Sequence, residues 1–208
     1  MRDARLRGLY LITPDSPDTA TLVAQVERAL GGRPALLQYR SKQPDAALQL
    51  GQARQIAALC REAGVPFIVN DSLELALASG ADGVHLGRED GDLAAARRAL
   101  GPDRILGVTC YDEWPRAVAG GAAGADYVAF GAVFPSATKP AAVRAPLELF
   151  VRGRRELDVP LAAIGGLTLD NAAQVIAAGA SLVAVVADVF DAPDPGARAA
   201  AYRTLFDT

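Results

Sequence analysis

Apolar residues along the chain fall into short, nearly unbroken runs separated by longer amphipathic or Ala-rich stretches. The runs are Gly8–Thr13, Ala35–Arg40, Pro66–Asn70, Gly83–Gly87, Ile105–Cys110, Tyr127–Val133, Pro160–Gly166 and Leu182–Asp188. Each has the length and the Val/Ile/Leu content of a strand. Between them Thr19–Leu30, Asp45–Ala63, Leu73–Ser79, Asp92–Leu100, Glu113–Ala123, Leu147–Glu156 and Leu169–Ala178 read as helices, and Pro195–Leu205 closes the chain. Strands without a polar face that alternate with helices predict a parallel sheet covered by helices.

An internal repeat supports this reading. Gly80-Ala81-Asp82-Gly83-Val84, Gly124-Ala125-Asp126-Tyr127-Val128 and Gly179-Ala180-Ser181-Leu182-Val183 each follow an Ala-rich helix and open a strand. The Gly suits the left-handed residue that ends a helix. The first two copies start at 80 and 124, two units of about 22 residues, a compact unit for a barrel of this kind. Eight such units predict an α/β chain folded as a single (β/α)8 TIM barrel over residues 1–208. An open doubly wound sheet would carry Gly-x-Gly-x-x-Gly after its first strand; Thr13-Pro14-Asp15-Ser16 does not match it.

Composition narrows the class. With 51% hydrophobic and 22% charged residues in 208, the chain can build a sizeable core and is not disordered. A net charge of −3 argues against general nucleic-acid binding. No apolar run approaches the roughly 18–20 residues of a membrane span, and Met1–Arg7 is followed by too few apolar residues for a signal-peptide core. A cytoplasmic setting is expected, with no membrane partner. Cys60 and Cys110 are too few for a disulfide framework. Of the 21 basic residues only Lys42 and Lys139 are lysine, Asn occurs only at 70 and 171, and His85 is the one histidine. In so Arg- and Ala-rich a chain, a lysine or asparagine that survives is a candidate for a chemical role.

Chemistry in such a barrel sits at the C-terminal ends of the strands. Strand 2 ends Gln38-Tyr39-Arg40-Ser41-Lys42. Residues 38 and 40 share a face and Lys42 continues the line, an anion clamp over a hydrogen-bonding amide. A polar strand end salt-bridged to a helix is an equal alternative. Strand 3 ends Asn70-Asp71, and Asp90 follows strand 4. Each aspartate alone reads as a helix cap. As a pair beside cations, the two carboxylates favour a divalent cation held by oxygen ligands. Thr109 ends strand 5 and offers a hydroxyl. Cys110 lacks an activating histidine, and His85, mid-strand, is expected to be packed or hydrogen-bonded. Strand 6 runs into the longest loop, where Ser136, Thr138 and Lys139 form a phosphate-binding set and the loop has the length of a lid. Gly165-Gly166 after strand 7, and Val186 and Ala187 at the end of strand 8, lie where many barrels hold a phosphate on backbone amides. A cation-rich, metal-binding site without a protein nucleophile suits transfer from a diphosphate to a second phosphorylated substrate.

These residues resemble the thiamine-phosphate synthase family. The resemblance is carried by Leu9-Tyr10-Leu11-Ile12-Thr13, Gln38-x-Arg40-x-Lys42, Asn70-Asp71, Gly80-Ala81-Asp82-Gly83-Val84-His85-Leu86-Gly87-x-x-Asp90 and Gly107-Val108-Thr109. Asp126-Tyr127-Val128-Ala129-Phe130-Gly131, Ser136-x-Thr138-Lys139 and Ile164-Gly165-Gly166 continue it over nearly the whole chain. It implies a barrel that joins 4-amino-5-hydroxymethyl-2-methylpyrimidine diphosphate to hydroxyethylthiazole phosphate in thiamine biosynthesis. Thiamine phosphate and pyrophosphate are the implied products, formed with Mg²⁺ by a dissociative displacement.

By the same resemblance Gln38 and Thr109 contact the pyrimidine. Arg40, Lys42, Asn70 and Lys139 hold the diphosphate, with Arg40, Lys42 and Lys139 as the catalytic cations. Asp71 and Asp90 hold Mg²⁺. Ser136, Thr138, Gly166, Val186 and Ala187 hold the thiazole phosphate, and Tyr39, Ser41 and Ala137 complete the substrate-binding set. Ser41 stands in place of a usual acid, Ser136 of a common Thr, Thr109 of a common Ser, and Ala187 of a common Ser.

The nearest alternative is a thiazole tautomerase-like or regulatory barrel that binds thiazole phosphate without condensation; the diphosphate clamp argues against it. A phosphosugar isomerase would need an acid/base pair, and strand 1 ends in Thr13. A non-enzymatic binding barrel fits poorly with a metal site. The partners expected are the two small-molecule substrates. The sequence leaves the oligomeric state open, with a homodimer one option.

Overall fold

The computed structural model describes residues 6–135 and 143–206. Eight parallel strands close into a barrel in sequence order: β1 (Gly8–Ile12), β2 (Leu36–Tyr39), β3 (Phe67–Asn70), β4 (Gly83–Leu86), β5 (Ile105–Tyr111), β6 (Tyr127–Gly131), β7 (Leu161–Ile164) and β8 (Leu182–Val185). The helices are α1 (Thr19–Leu30), α2 (Ala46–Ala63), α3 (Leu73–Ser79), α4 (Leu93–Leu100), α5 (Trp114–Ala122), α6 (Glu148–Glu156), α7 (Ala172–Ala178), α8 (Ala187–Phe190) and α9 (Pro195–Arg203). The barrel predicted from the apolar runs is the barrel observed.

Helix starts follow capping chemistry. Asp18, Asp45, Ser72, Asp92 and Asp194 each accept a hydrogen bond from a first-turn backbone N–H of α1, α2, α3, α4 and α9, which satisfies donors that a helix leaves orphaned. The Gly-Ala-Asp repeat is also structural. Gly80 ends α3 in the left-handed conformation, φ 73°. Asp82 then accepts from Phe67 N at 2.8 Å through its side chain and donates its own N–H to Phe67 O at 2.8 Å. Asp126 does the same to Leu106. In both cases the aspartate locks the start of one strand onto the start of the strand before it.

Two apolar layers result. Leu9, Leu11, Leu37, Tyr39, Val69, Val84, Val108, Phe130 and Val183 face the helices. Tyr10, Leu36, Ile68, Ile105, Tyr127, Ala162 and Leu182 fill the barrel. The alternation puts Gln38, Asn70, His85 and Thr109 above that filling, toward the C-terminal mouth.

Two strand ends differ from expectation. β6 stops at Gly131, and the chain beyond it is held by backbone bonds from Val133 N to Ile164 O and from Phe134 N to Gly165 O. β8 stops at Val185. The expected strand to Asp188 turns instead into the one-turn helix α8, because Val189 N and Phe190 N both bond back to Val186 O.

Candidate active site

At the mouth, β1 and β2 are joined through Thr13. Its hydroxyl oxygen accepts from Arg40 N at 3.0 Å and its O–H donates to Arg40 O at 3.3 Å. The backbone of the arginine is therefore fixed while its half-buried side chain stays available. Asp15, in the loop after β1, fixes the next three residues. It accepts from Lys42 N at 2.8 Å, from Gln43 Nε2 at 3.3 Å and from Ser41 Oγ at 3.5 Å. Among the described residues neither Arg40 nor Lys42 forms a side-chain ion pair to a helix. An acid at 41 would face Asp15, so Ser41 is the residue this arrangement tolerates. Tyr39 turns the other way. Its hydroxyl donates to Gln52 Oε1 at 2.7 Å in the helix layer, which leaves only its backbone for a ligand.

Neither aspartate of the expected pair caps a helix; Ser72 and Asp92 do that. Asp71 sits in the left-handed region, φ 64°, costly for a residue with a Cβ, and donates its N–H to His85 O at 2.8 Å. Asp90 accepts from Gly87 N at 2.6 Å. The two carboxyl groups come from the loops after the adjacent strands β3 and β4 and lie close enough for Asp90 to act on Asp71. Partial burial, followed by the Asp90 carboxylate, pushes the Asp71 carboxyl up to about 6, against the pull of Arg40 and a hydrogen bond from Asn70. Gln38, Arg40, Asn70, Asp71 and Asp90 are thus brought to one side of the mouth. Among the described residues no group of three or more His, Cys, Asp and Glu forms a metal cage; the protein offers two carboxylates.

Thr109 lies across the barrel. Its Oγ1 is 2.6 Å from His85 Nε2, and its carbonyl accepts from Arg116 Nε at 2.6 Å. Burial lowers the pKa of His85 to about 4, so the ring is neutral and packed, as its mid-strand position suggested. Burial pushes the Cys110 thiol up to about 12, consistent with an inert cysteine.

On the other side, Gly166 and Ala187 follow the adjacent strands β7 and β8. Gly165 and Gly166 have φ 100° and 63°. A Cβ at 166 would lie 2.2 Å from Pro135 O. Part of the demand for glycine therefore comes from the chain after β6. Asn171, which sequence reasoning left unassigned, holds this loop: it donates to Gly166 O at 2.9 Å and accepts from Thr168 N at 2.9 Å. Val186 and Ala187 are exposed. Asp188 points away from the mouth, accepting from Tyr202 Oη at 2.6 Å, because a helix begins there rather than because a strand alternates. Ser136, Ala137, Thr138 and Lys139 lie outside the described residues; the segment's ends are clasped by Ala132 N to Val143 O and Ala145 N to Ala132 O.

The sequence of known proteins places these features in context. Residues 9–189 match the family model described as thiamine monophosphate synthase. The chain is 92% identical to a thiamine-phosphate synthase of Aromatoleum aromaticum over 100% of both chains. It is 63% identical to one from an Azoarcus species, covering 97% of this chain and 98% of that one. A solved thiamine phosphate pyrophosphorylase from Pyrococcus furiosus superposes with a TM-score of 0.85 at 31% identity, covering 98% and 97% of the two chains. No helix among the described residues is long and apolar enough to cross a membrane.

Proposed function

Because the chain belongs to the thiamine monophosphate synthase family, and is thus a transferase that joins a pyrimidine to a thiazole in thiamine biosynthesis, we propose how its own residues divide that task. The pyrimidine diphosphate lies over β2–β5, with Gln38 and Thr109 on the ring and Arg40, Lys42, Asn70 and Lys139 on the diphosphate. The thiazole phosphate lies over β7 and β8, on Gly166, Val186 and Ala187, with Ser136, Ala137 and Thr138 from the loop after β6.

The observation that carries this reading is the convergence of Asp71 and Asp90 from the adjacent strand ends of β3 and β4, with Arg40 close enough to act on Asp71. Two carboxyl groups on neighbouring strand ends, one held in a left-handed backbone, suit a hard cation with oxygen ligands. Mg²⁺ is commonly held by one or two carboxylates, with water and phosphate oxygens in the remaining positions. When bound, the ion supplies positive charge against the leaving diphosphate.

The rest is done by the chain. Arg40 and Lys42, held by Thr13 and Asp15, neutralise the charge that grows on the diphosphate as its bond to the pyrimidinylmethyl carbon breaks. Gln38 and Thr109 keep the ring from rotating away. The thiazole nitrogen then bonds to the electron-poor carbon. No protein nucleophile is used, in keeping with the inert Cys110 and neutral His85. The reading includes a cytoplasmic enzyme that acts on small molecules.

The test is steady-state formation of pyrophosphate from both substrates with Mg²⁺, compared for the wild type, Arg40→Ala and Asp90→Ala. Both variants should lose turnover by two orders of magnitude or more while keeping the folded circular-dichroism spectrum. Near-normal turnover in either variant rejects the assignment.

A further inference from the structure

Beneath the mouth, five side chains from five strands form one continuous hydrogen-bonded chain. Gln38 Nε2 donates to Tyr10 Oη at 2.5 Å. Tyr10 Oη is 2.7 Å from Tyr127 Oη, Tyr127 Oη is 2.8 Å from His85 Nδ1, and His85 Nε2 is 2.6 Å from Thr109 Oγ1. Tyr10, Gln38, His85 and Tyr127 are buried. Gly107 makes the room: a Cβ there would lie 2.3 Å from Tyr127 Oη and 2.5 Å from His85 Nδ1.

We propose that Tyr10, Tyr127 and His85 are positioning residues whose hydrogen bonds run in one direction, from Gln38 to Thr109, and so set which groups those two residues present to the pyrimidine. The proposal rests on the assignment of Gln38 and Thr109 to that ring.

The direction follows from counting protons. An amide nitrogen only donates, so Tyr10 receives the Gln38 proton and gives its own to Tyr127. Tyr127 then gives its proton to His85 Nδ1; in the reverse sense the Tyr127 proton would be buried without an acceptor, at a full desolvation penalty. A neutral imidazole that accepts at Nδ1 carries its proton on Nε2, and that proton goes to Thr109 Oγ1. Burial keeps the imidazole neutral and both phenols protonated, so every link has one proton.

The two ends are thereby polarised. The Gln38 carbonyl oxygen has no hydrogen-bond partner among the described residues and is not sealed from solvent, so it is free to act as an acceptor at the mouth. The Thr109 hydroxyl has accepted from His85 and keeps its proton for a ligand. An acceptor and a donor held apart by a rigid chain match an aminopyrimidine, which offers an amino N–H and a ring nitrogen. A ring with the opposite pattern, such as a pyrimidinone with a ring N–H, meets an acceptor and a donor in the wrong places.

The single histidine makes the chain directly observable. Protein labelled with ¹⁵N-histidine should give one pair of ring signals, with the proton on Nε2 and Nδ1 bare, in the absence of any substrate. Gln38→Glu, examined at a pH where the new carboxylate is ionised, turns the first donor into an acceptor. The chain should then reverse and the His85 proton move to Nδ1, three hydrogen bonds away. Tyr127→Phe should raise KM for the pyrimidine diphosphate about tenfold and leave KM for the thiazole phosphate within twofold. Thr109→Ser should restore what Thr109→Val loses.

A wild-type proton on Nδ1 overturns the proposal, as does a His85 tautomer unmoved by Gln38→Glu. If Tyr127→Phe folds and leaves both KM values unchanged, positioning is overturned while the transfer reaction stands. If the wild type releases no pyrophosphate, the underlying assignment fails whatever the tautomer.

Discussion

The carboxyl groups of Asp71 and Asp90 converge on one side of the barrel mouth, one from the loop after β3 and one from the loop after β4. Partial burial of Asp71, and after it the neighbouring Asp90 carboxylate, destabilise the ionised state. The folded protein therefore holds a proton on Asp71 that the unfolded chain releases near pH 4. With more protons bound in the folded state, stability conferred by this group is present below about pH 4 and lost as pH rises through about 6. Asp90→Asn should accordingly raise the melting temperature of Mg-free protein at pH 7, with the gain disappearing by pH 4. Thermal melts of both proteins across that range check it; a lower melting temperature at pH 7 contradicts it.

On the proposed reading the same proton competes with Mg²⁺. A carboxyl group at about 6 must be ionised before it can bind a cation. The Mg²⁺ concentration for half-maximal turnover should rise steeply as pH falls below 6 and level off above 7. A titration with the same midpoint at pH 5 and pH 8 would separate Asp71 from the metal.

Asp15 fixes the backbone of Lys42, which on the proposed reading supports a residue that holds the diphosphate. Asp15→Ala should raise KM for the pyrimidine diphosphate about 5- to 30-fold, the equivalent of about 1–2 kcal/mol for hydrogen bonds to a charged group in a partly exposed loop. KM for the thiazole phosphate should stay within twofold. Initial rates with each substrate varied in turn provide the check.

Gly166 is required by its own chain as well as by any ligand. Gly166→Ala places a methyl against Pro135 O in a left-handed backbone, and should lower stability by at least about 1 kcal/mol. Ala187→Ser adds a hydroxyl at the exposed first residue of α8. A neutral hydrogen bond contributes roughly 0.5–1.5 kcal/mol, so KM for the thiazole phosphate should fall no more than about tenfold. A hundredfold change would mean that backbone N–H groups do not hold that phosphate. Denaturant melts and substrate titrations decide the two cases.

The barrel was legible because apolar runs report two-sided burial, and the Gly-Ala-Asp/Ser repeat marks where three of the strands begin. That Gln38, Arg40, Asn70, Asp71 and Asp90 would gather at the strand ends was legible because polar strand-end residues stand out in an Arg- and Ala-rich chain. What sequence could not give was the sense of a turn. Val185-Val186-Ala187-Asp188 reads as strand because all but the last residue are apolar, yet backbone bonding to Val186 O starts a helix there. Asp15 and Asn171 were missed because each acts through backbone atoms that no motif spells out. Tyr10, Tyr127 and His85 looked like core, and they are core; only register places their polar ends in one line.

The most direct test measures the two products together. Wild-type protein supplied with the pyrimidine diphosphate, the thiazole phosphate and Mg²⁺ should form pyrophosphate and thiamine phosphate in equal amounts. Arg40→Ala should lower both by the same factor of a hundred or more. Consumption or rearrangement of the thiazole phosphate with no pyrophosphate released, or pyrophosphate release indifferent to Arg40, would contradict the account.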